Sequence, residues 1–239
     1  MRSFKEKVAV ITGAGSGMGR YLAILLAKDG ADVCVCDVNE QTLNETVGML
    51  RKYNVSVSSH LLDVSDKESI EALPQKVIDQ HGKVDLVFNN AGVTSGAHFQ
   101  DMNEDNWDWV MGINFEGVVN STRAFIPHLI NCSEAAIINT SSIFGMVAVP
   151  GQTVYHATKF AVRGFTESLA LEMAQTNPNL QIHCVHPGHI GTNIAATSRM
   201  SNEDFEKSKQ GASILSLIHI SEPTRRRGIS YAVVCVKKK

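Results

Sequence analysis

The sequence predicts an α/β fold in which one parallel sheet carries helices on both faces. Three observations lead there. Short apolar runs alternate with helical patterns along most of the 239 residues, as strand–helix–strand units require. The first runs are continuously apolar, which suits strands buried on both faces. A glycine cluster separates the first run from the first helix, where such folds bring ligands to the C-terminal ends of their strands. With 44% hydrophobic and 19% charged residues, the length suits one domain with a full core.

The elements follow in order. KVAVIT (7–12) is the first strand, TGAGSGMG (12–19) the glycine loop and GRYLAILLAKDGA (19–31) the first helix. ADVCVCDV (31–38) is a second buried strand and NEQTLNETVGMLRKY (39–53) a second helix. VSVSSHLLDV (55–64) is a third strand, running to Asp63, and DKESIEALPQKVIDQHG (66–82) reads as helix with Pro74 as an irregularity. VDLVFNNAG (84–92) is a fourth strand entering a loop, and one long helix covers 104–131. AAIINTSS (135–142), the helix at 153–175 and LQIHCVHPG (180–188) complete the alternation. Right-handed crossovers then place the strand C-termini along one edge.

Formal net charge is −2, but six of the 22 basic residues and one of the 24 acids lie in Leu215–Lys239, so the body carries about −7. Such a body gives no electrostatic reason to expect nucleic acid or an anionic membrane as a partner. No apolar run is long enough to span a bilayer, and the N-terminus runs into a strand without a signal-peptide apolar region. Cys34 and Cys36 are read as lying on opposite sides of their strand, and the five cysteines as reduced thiols. The expected setting is cytoplasmic.

Glycines in TGAGSGMG allow a tight turn and close approach of a pyrophosphate, which the N–H groups at the helix start attract. The generic Gly-x-Gly-x-x-Gly pattern does not fit literally, because Met18 stands in its third glycine position counted from Gly13. Asp37 closes the second strand 18 residues after Gly19, near the ~20 expected of an acid that accepts the adenosine ribose hydroxyls. It would repel a 2′-phosphate. No arginine stands beside it, where Val38 follows, or in the loop before Gly19. The coenzyme expected is NAD, with NADP disfavoured.

Tyr155 and Lys159 lie four apart in YHATK, on one helix face. An ammonium near a phenol stabilises phenolate, so Tyr155 can exchange a proton with a carbonyl or hydroxyl oxygen while hydride moves to or from nicotinamide. Ser142 lies 13 residues upstream at the strand edge, able to hydrogen-bond the reacting oxygen, with Ser141 as the neighbouring candidate.

Thr12-Gly13-x-x-x-Gly17-x-Gly19, Asp63, Asn89-Asn90-Ala91-Gly92, Asn114, Ser142, Tyr155-x-x-x-Lys159 and Pro187-Gly188 occur in that order. The set resembles the short-chain dehydrogenase/reductase family in its compact single-domain branch, over roughly residues 5–195. The resemblance implies a Rossmann-type doubly wound sheet of three layers, order 3-2-1-4-5-6, with a seventh strand missing or mimicked by the tail. It implies Tyr155 as general acid/base, Lys159 lowering its pKa and binding the nicotinamide ribose, and Ser142 positioning the substrate oxygen. Asn114 would hold a water that relays protons through Lys159. Thr12, Gly13, Ser16, Gly17, Met18, Gly19, Asp37 and Val38 would form the phosphate and ribose site. Asp63 and Val64 would contact adenine, and Asn90, Ala91 and Gly92 would line the coenzyme. Pro187, Gly188, Ile190 and Thr192 would hold the carboxamide. Where the family usually has Tyr-x-Ala-Ser-Lys, this chain has threonine for serine. Association through the two long helices, 105–131 and 155–175, as a homodimer or homotetramer is implied as well.

His183, His186 and His189 recur every third residue, but such positions alternate faces on a strand, and no metal is expected. Trp107 and Trp109 are read as packing rather than as stacking platforms. Around the reacting carbon stand Thr94, Ala97, Met146, Val147, Val149 and Pro150, with His98 and Gln152 as polar contacts and no arginine evident. The expected substrate is a small, neutral, fairly apolar secondary alcohol or ketone. Three rival readings are an extended-branch sugar epimerase or dehydratase, a non-catalytic NAD-binding scaffold and an inactive truncated fragment. The glycine spacing and length argue against the first, and the complete Ser142, Tyr155, Lys159 and Asn114 set against the second.

The expected domain is 1–214, with a substrate lid beginning near 193. LSLIHISEPTR, from Leu215, is what a transposon-type sequencing adapter encodes, and ISYAVVCVKKK resembles the primer that follows it plus a run of A. Leu215–Lys239 are therefore expected to be translated read-through. A continuous genomic reading frame through this stretch would overturn that expectation.

Overall fold

The computed structural model describes residues 3–188 together with Ile194, Ser198 and Arg199. Six parallel strands form one sheet: β1 (Val8–Thr12), β2 (Asp32–Asp37), β3 (Val57–Leu61), β4 (Leu86–Asn89), β5 (Ala135–Thr140) and β6 (Leu180–Val185). Their order is β3-β2-β1-β4-β5-β6, as the resemblance implies. Residues 215–239, where a seventh strand or its mimic would fall, lie outside the described residues, as do Ile190 and Thr192.

The helices are α1 (Gly17–Lys28), α2 (Glu40–Leu50), α3 (Lys67–His81), α4 (Glu104–Met111), α5 (Gly117–Leu129) and α6 (Thr153–Thr176). Helix α3 runs through Pro74 without interruption and ends on left-handed Gly82. The long helix expected over 104–131 is divided: a π-helical turn, Gly112–Glu116, joins α4 to α5. Such wide turns cluster at functional sites, and this one carries Asn114.

Alternate strand residues face opposite layers. Ala9, Ile11, Val33 and Val35 pack with Ala23, Leu26, Leu43 and Leu50 of α1 and α2. Val8, Val10, Val87 and Ile137 pack with Ile70, Leu73, Val77, Phe125 and Leu129 of α3 and α5. The direction of crossover reverses between β1 and β4, which opens a crevice at the strand C-termini.

The cysteine expectation is wrong. Cys34 and Cys36 are two apart, hence on one face of β2, and their sulfurs lie 3.9 Å apart in the core. The neighbouring Cys36 hydrogen bond pulls the Cys34 thiol below its ordinary value, against the effect of burial. No helix among the described residues is long and apolar enough to cross a membrane.

Candidate active site

The crevice is built from the loops after β1 and β4. Thr12 Oγ1 accepts from Asn90 N at 3.0 Å and Ala91 N at 3.1 Å, and Asn90 Nδ2 donates to Thr12 O at 3.1 Å. Gly13 has φ +64°, and a Cβ there would fall 2.7 Å from Ala91 Cα. A Cβ on Gly19 would fall 2.7 Å from Asn90 Nδ2. Gly17, at φ +50°, opens α1 after Ser16, whose own side chain makes no capping bond. The loop thus leaves the N–H groups of α1's first turn, with Met18 among them, open toward a bound anion.

Asp37 does more than face outward. Its Oδ2 accepts from Gly15 N at 2.8 Å and its Oδ1 from Asn39 N at 2.9 Å. A Cβ on Gly15 would fall 2.8 Å from the Asp37 carboxyl carbon, so the glycine lets the acid anchor the loop. An ionised carboxylate has about four acceptor sites, which leaves room for ribose hydroxyls. Val38 beside it is 68% exposed. Asp63 is exposed, but its Oδ1 accepts from Ser65 N and Ser65 Oγ at 2.8 and 2.6 Å. Val64 is buried, and a Cβ on Gly117 would meet its carbonyl at 3.0 Å.

Lys159 is buried beneath the other half of the crevice, and its Nζ donates to Thr140 O at 2.9 Å. Burial pushes its ammonium down to about 8. Its Nζ lies 5.5 Å from the Tyr155 ring centroid. A Cβ on Gly92 would fall 3.5 Å from this Nζ and 3.4 Å from Asn114 Oδ1, so the loop after β4 lies against both groups. Burial also pushes the Tyr155 phenol up from its ordinary value, with the Ser142 hydroxyl pulling the other way. Burial is the larger of these two effects.

The two serines separate cleanly. Ser141 Oγ donates to Lys159 O at 2.8 Å, holding α6 against β5. Ser142 faces Tyr155 and accepts from Phe144 N at 3.1 Å, capping the short 3-10 turn Ile143–Gly145. His186 Nδ1 sits 3.2 Å from Ser142 O, and Ile143 N donates to Pro187 O at 3.0 Å, so the end of β6 braces the same turn. Gly188 is exposed.

Asn114 is fully buried. Its Oδ1 accepts from Val93 N at 2.8 Å and its Nδ2 donates to Val93 O at 2.9 Å. It also donates to Thr158 Oγ1 at 3.3 Å. Its amide therefore ties the π-helical turn to the loop after β4 and to the helix of Tyr155 and Lys159.

The family model of short chain dehydrogenases matches residues 7–203. The chain belongs to the short-chain dehydrogenase family. It is 41% identical over 207 residues to SadH of Mycobacterium tuberculosis, assigned as an oxidoreductase, covering 87% of this chain and 75% of SadH. It is 37% identical over 186 residues to the 3-oxoacyl-[acyl-carrier-protein] reductase FabG of Thermotoga maritima, covering 78% and 75%. A crystal structure of a short-chain dehydrogenase from Burkholderia phymatum in complex with NAD superimposes with a TM-score of 0.83 at 32% identity, covering 89% of this chain and 80% of that one. This short-chain dehydrogenase is thus an oxidoreductase of a family acting on CH–OH or carbonyl groups.

Sequence reasoning missed several site residues. Thr46 Oγ1 donates to Ala14 O at 2.9 Å, and Arg20 Nε donates to Thr46 Oγ1 at 2.9 Å. Arg20 also donates to Gly15 O, to Thr42 O at 3.1 Å and to Glu45 Oε2 at 2.9 Å. Only the approach of α2 to the loop reveals these roles. Trp109, read as packing, carries the Arg199 guanidinium 3.9 Å from its ring centroid. Ser95 Oγ donates to Arg199 O at 2.8 Å. An arginine therefore does stand beside the loop of Thr94 and Ser95, held on an aromatic face. Thr94 Oγ1 donates to Gln152 Oε1 at 2.9 Å, and Ala97 N to Gly151 O at 3.1 Å, joining the cleft's two walls. Trp107 packs edge-on to Phe99. His183 lies 3.3 Å from Gln181 Oε1, and His189 falls outside the described residues.

Proposed function

We propose that this oxidoreductase interconverts a secondary alcohol and a ketone, with NAD as coenzyme and Tyr155 as general acid/base. The observation that supports it most is the convergence of Ser142 on Tyr155 above a buried Lys159, with Asn114 at the same edge. A Cβ at Gly13, Gly15 or Gly19 would collide with Ala91, Asp37 or Asn90, so the glycines let the loop fold tightly, and the start of α1 beside it is suited to the pyrophosphate of a dinucleotide. Bound nicotinamide would supply the hydride acceptor or donor. Ser142 would hold the substrate oxygen, Tyr155 would give or take its proton, and Lys159 would be held close enough to restore that proton from Asn114's side. A lysine near 8 keeps its proton at neutral pH and gives it up at modest cost, which suits a relay.

NAD is favoured over NADP because Asp37 is an acid at the ribose position and Arg20 is already paired with Glu45. A neutral, fairly apolar substrate is supported by the exposed Met146 and Val147 on the cleft wall. Arg199 on Trp109 favours a second reading, an acyl substrate on an anionic carrier, which the substrate panel distinguishes. The domain is read as residues 1–214, the tail from Leu215 as non-native, and the assembly as a homodimer or homotetramer.

The test is NAD-linked turnover on a panel of neutral alcohols, ketones and 3-oxoacyl thioesters, comparing wild type with Tyr155→Phe. Turnover of wild type and its loss by 100-fold or more in the variant is expected. Tyr155→Phe at wild-type rate would sink the assignment.

A further inference from the structure

His156 follows Tyr155 on α6 and is buried. Its Nε2 accepts from Val149 N at 3.0 Å, so that nitrogen carries no proton. Its Nδ1 lies 2.9 Å from Phe144 O, and only the tautomer with the proton on Nδ1 satisfies both contacts. The turn's own hydrogen bonds, from Gly145, Met146 and Val147, reach back to Ser142 and Ile143. Val149 lies beyond them, and its amide finds its acceptor in the ring.

The same ring packs on Phe144 with centroids 4.8 Å apart. Phe144 in turn meets the Tyr155 ring edge-on at 6.2 Å, and its N–H donates to Ser142 Oγ. One imidazole thus reaches Ser142 and Tyr155 through Phe144, and holds the segment bearing Met146 and Val147 at both ends. We infer that His156 is a positioning residue that clamps residues 144–149 onto α6, fixing the Ser142–Tyr155 approach and the apolar wall of the substrate cleft. The inference rests on the functional reading above. It predicts separation of effects, because the clamp lies on the substrate side while the coenzyme loops are stitched together through Thr12 and Asn90.

The experiment compares His156→Ala, His156→Gln and His156→Asn with wild type by steady-state kinetics, NADH titration and hydrogen exchange of the segment 144–150. Glutamine can place its amide oxygen where Nε2 accepts; asparagine reaches only the Phe144 side. His156→Ala should lower kcat/KM tenfold or more, leave NADH Kd within twofold and speed exchange at Val149. Glutamine should retain more kcat/KM and more protection than asparagine, a difference that loss of packing alone would not produce. A kcat/KM within threefold of wild type in His156→Ala, or unchanged exchange at Val149, overturns the inference. If His156→Ala does not fold, equal behaviour of the Gln and Asn variants overturns it. Failure of the functional reading shows separately, as absent wild-type turnover or turnover that survives Tyr155→Phe, and the exchange measurement then decides the clamp alone.

Discussion

Asp37 holds two roles that substitution can separate. Under the proposed reading its charge stands where the adenosine ribose would bind, and its Oδ2 anchors the glycine loop through Gly15 N at 2.8 Å. Two unit charges about 4 Å apart repel by ~1 kcal/mol in water and ~4 kcal/mol at an effective dielectric of ~20. Asp37 is only partly buried, so the lower half of that range, ~1–2.5 kcal/mol, applies, roughly 5- to 70-fold in coenzyme preference. Asp37→Asn removes the charge but keeps an oxygen for Gly15 N. Asp37→Ala removes both, and a hydrogen bond to a charged group contributes about 1.5–3 kcal/mol. Both variants should shift the NADPH:NADH affinity ratio by a similar factor, toward NADPH. Since Asp37→Asn is already uncharged, the bond that separates the two variants is a neutral one of about 0.5–1.5 kcal/mol, and Asp37→Ala should bind NADH roughly 2- to 10-fold weaker than Asp37→Asn. Fluorescence titration of both coenzymes on the three proteins reads this directly. Wild type binding NADPH as tightly as NADH would refute the charge argument, and equal NADH loss in the two variants would refute the anchor.

Two further outcomes follow from the buried centre. Lys159 sits near 8 when folded and near ~10.4 when unfolded; between those values the unfolded chain binds more protons, so this group makes folding more favourable as pH rises. The Tm difference between wild type and Lys159→Met should therefore move in favour of wild type from pH 8 to about 10.4, and a pH-independent difference would count against a buried ammonium. Gly145→Ala would put a Cβ 2.7 Å from Lys159 O, an overpacking that costs about 1–3 kcal/mol. Calorimetry should show a clearly lower Tm, and an unchanged one would mean that α6 does not pack so closely.

Much of the site was legible in order along the chain. Buried strands and amphipathic helices differ in period, so strand and helix positions could be read locally, and Thr12, Gly13, Gly17, Gly19, Asp37, Asn90, Ser142, Tyr155 and Lys159 reach one edge as expected. The error over Cys34 and Cys36 was one of period: two residues apart means one face, and the sulfurs meet. The long helix hid a π-helical turn, because a single extra residue per turn leaves no mark in apolar spacing. Asn114 was legible as a candidate, but its partner Val93 lies 21 residues away across a loop.

The sequence by itself determined which chemical groups the protein owns and which end of each strand they occupy, because both depend on short-range pattern. Tertiary structure alone decided how they are paired. It turned Ser141 to a helix carbonyl and Ser142 to the tyrosine, set Arg20 and Thr46 behind the glycine loop, and placed Arg199 on Trp109. It also set the burial that pushes the Tyr155 phenol up, since desolvation depends on how completely six strands and their helices exclude water, and no neighbour in sequence sets that.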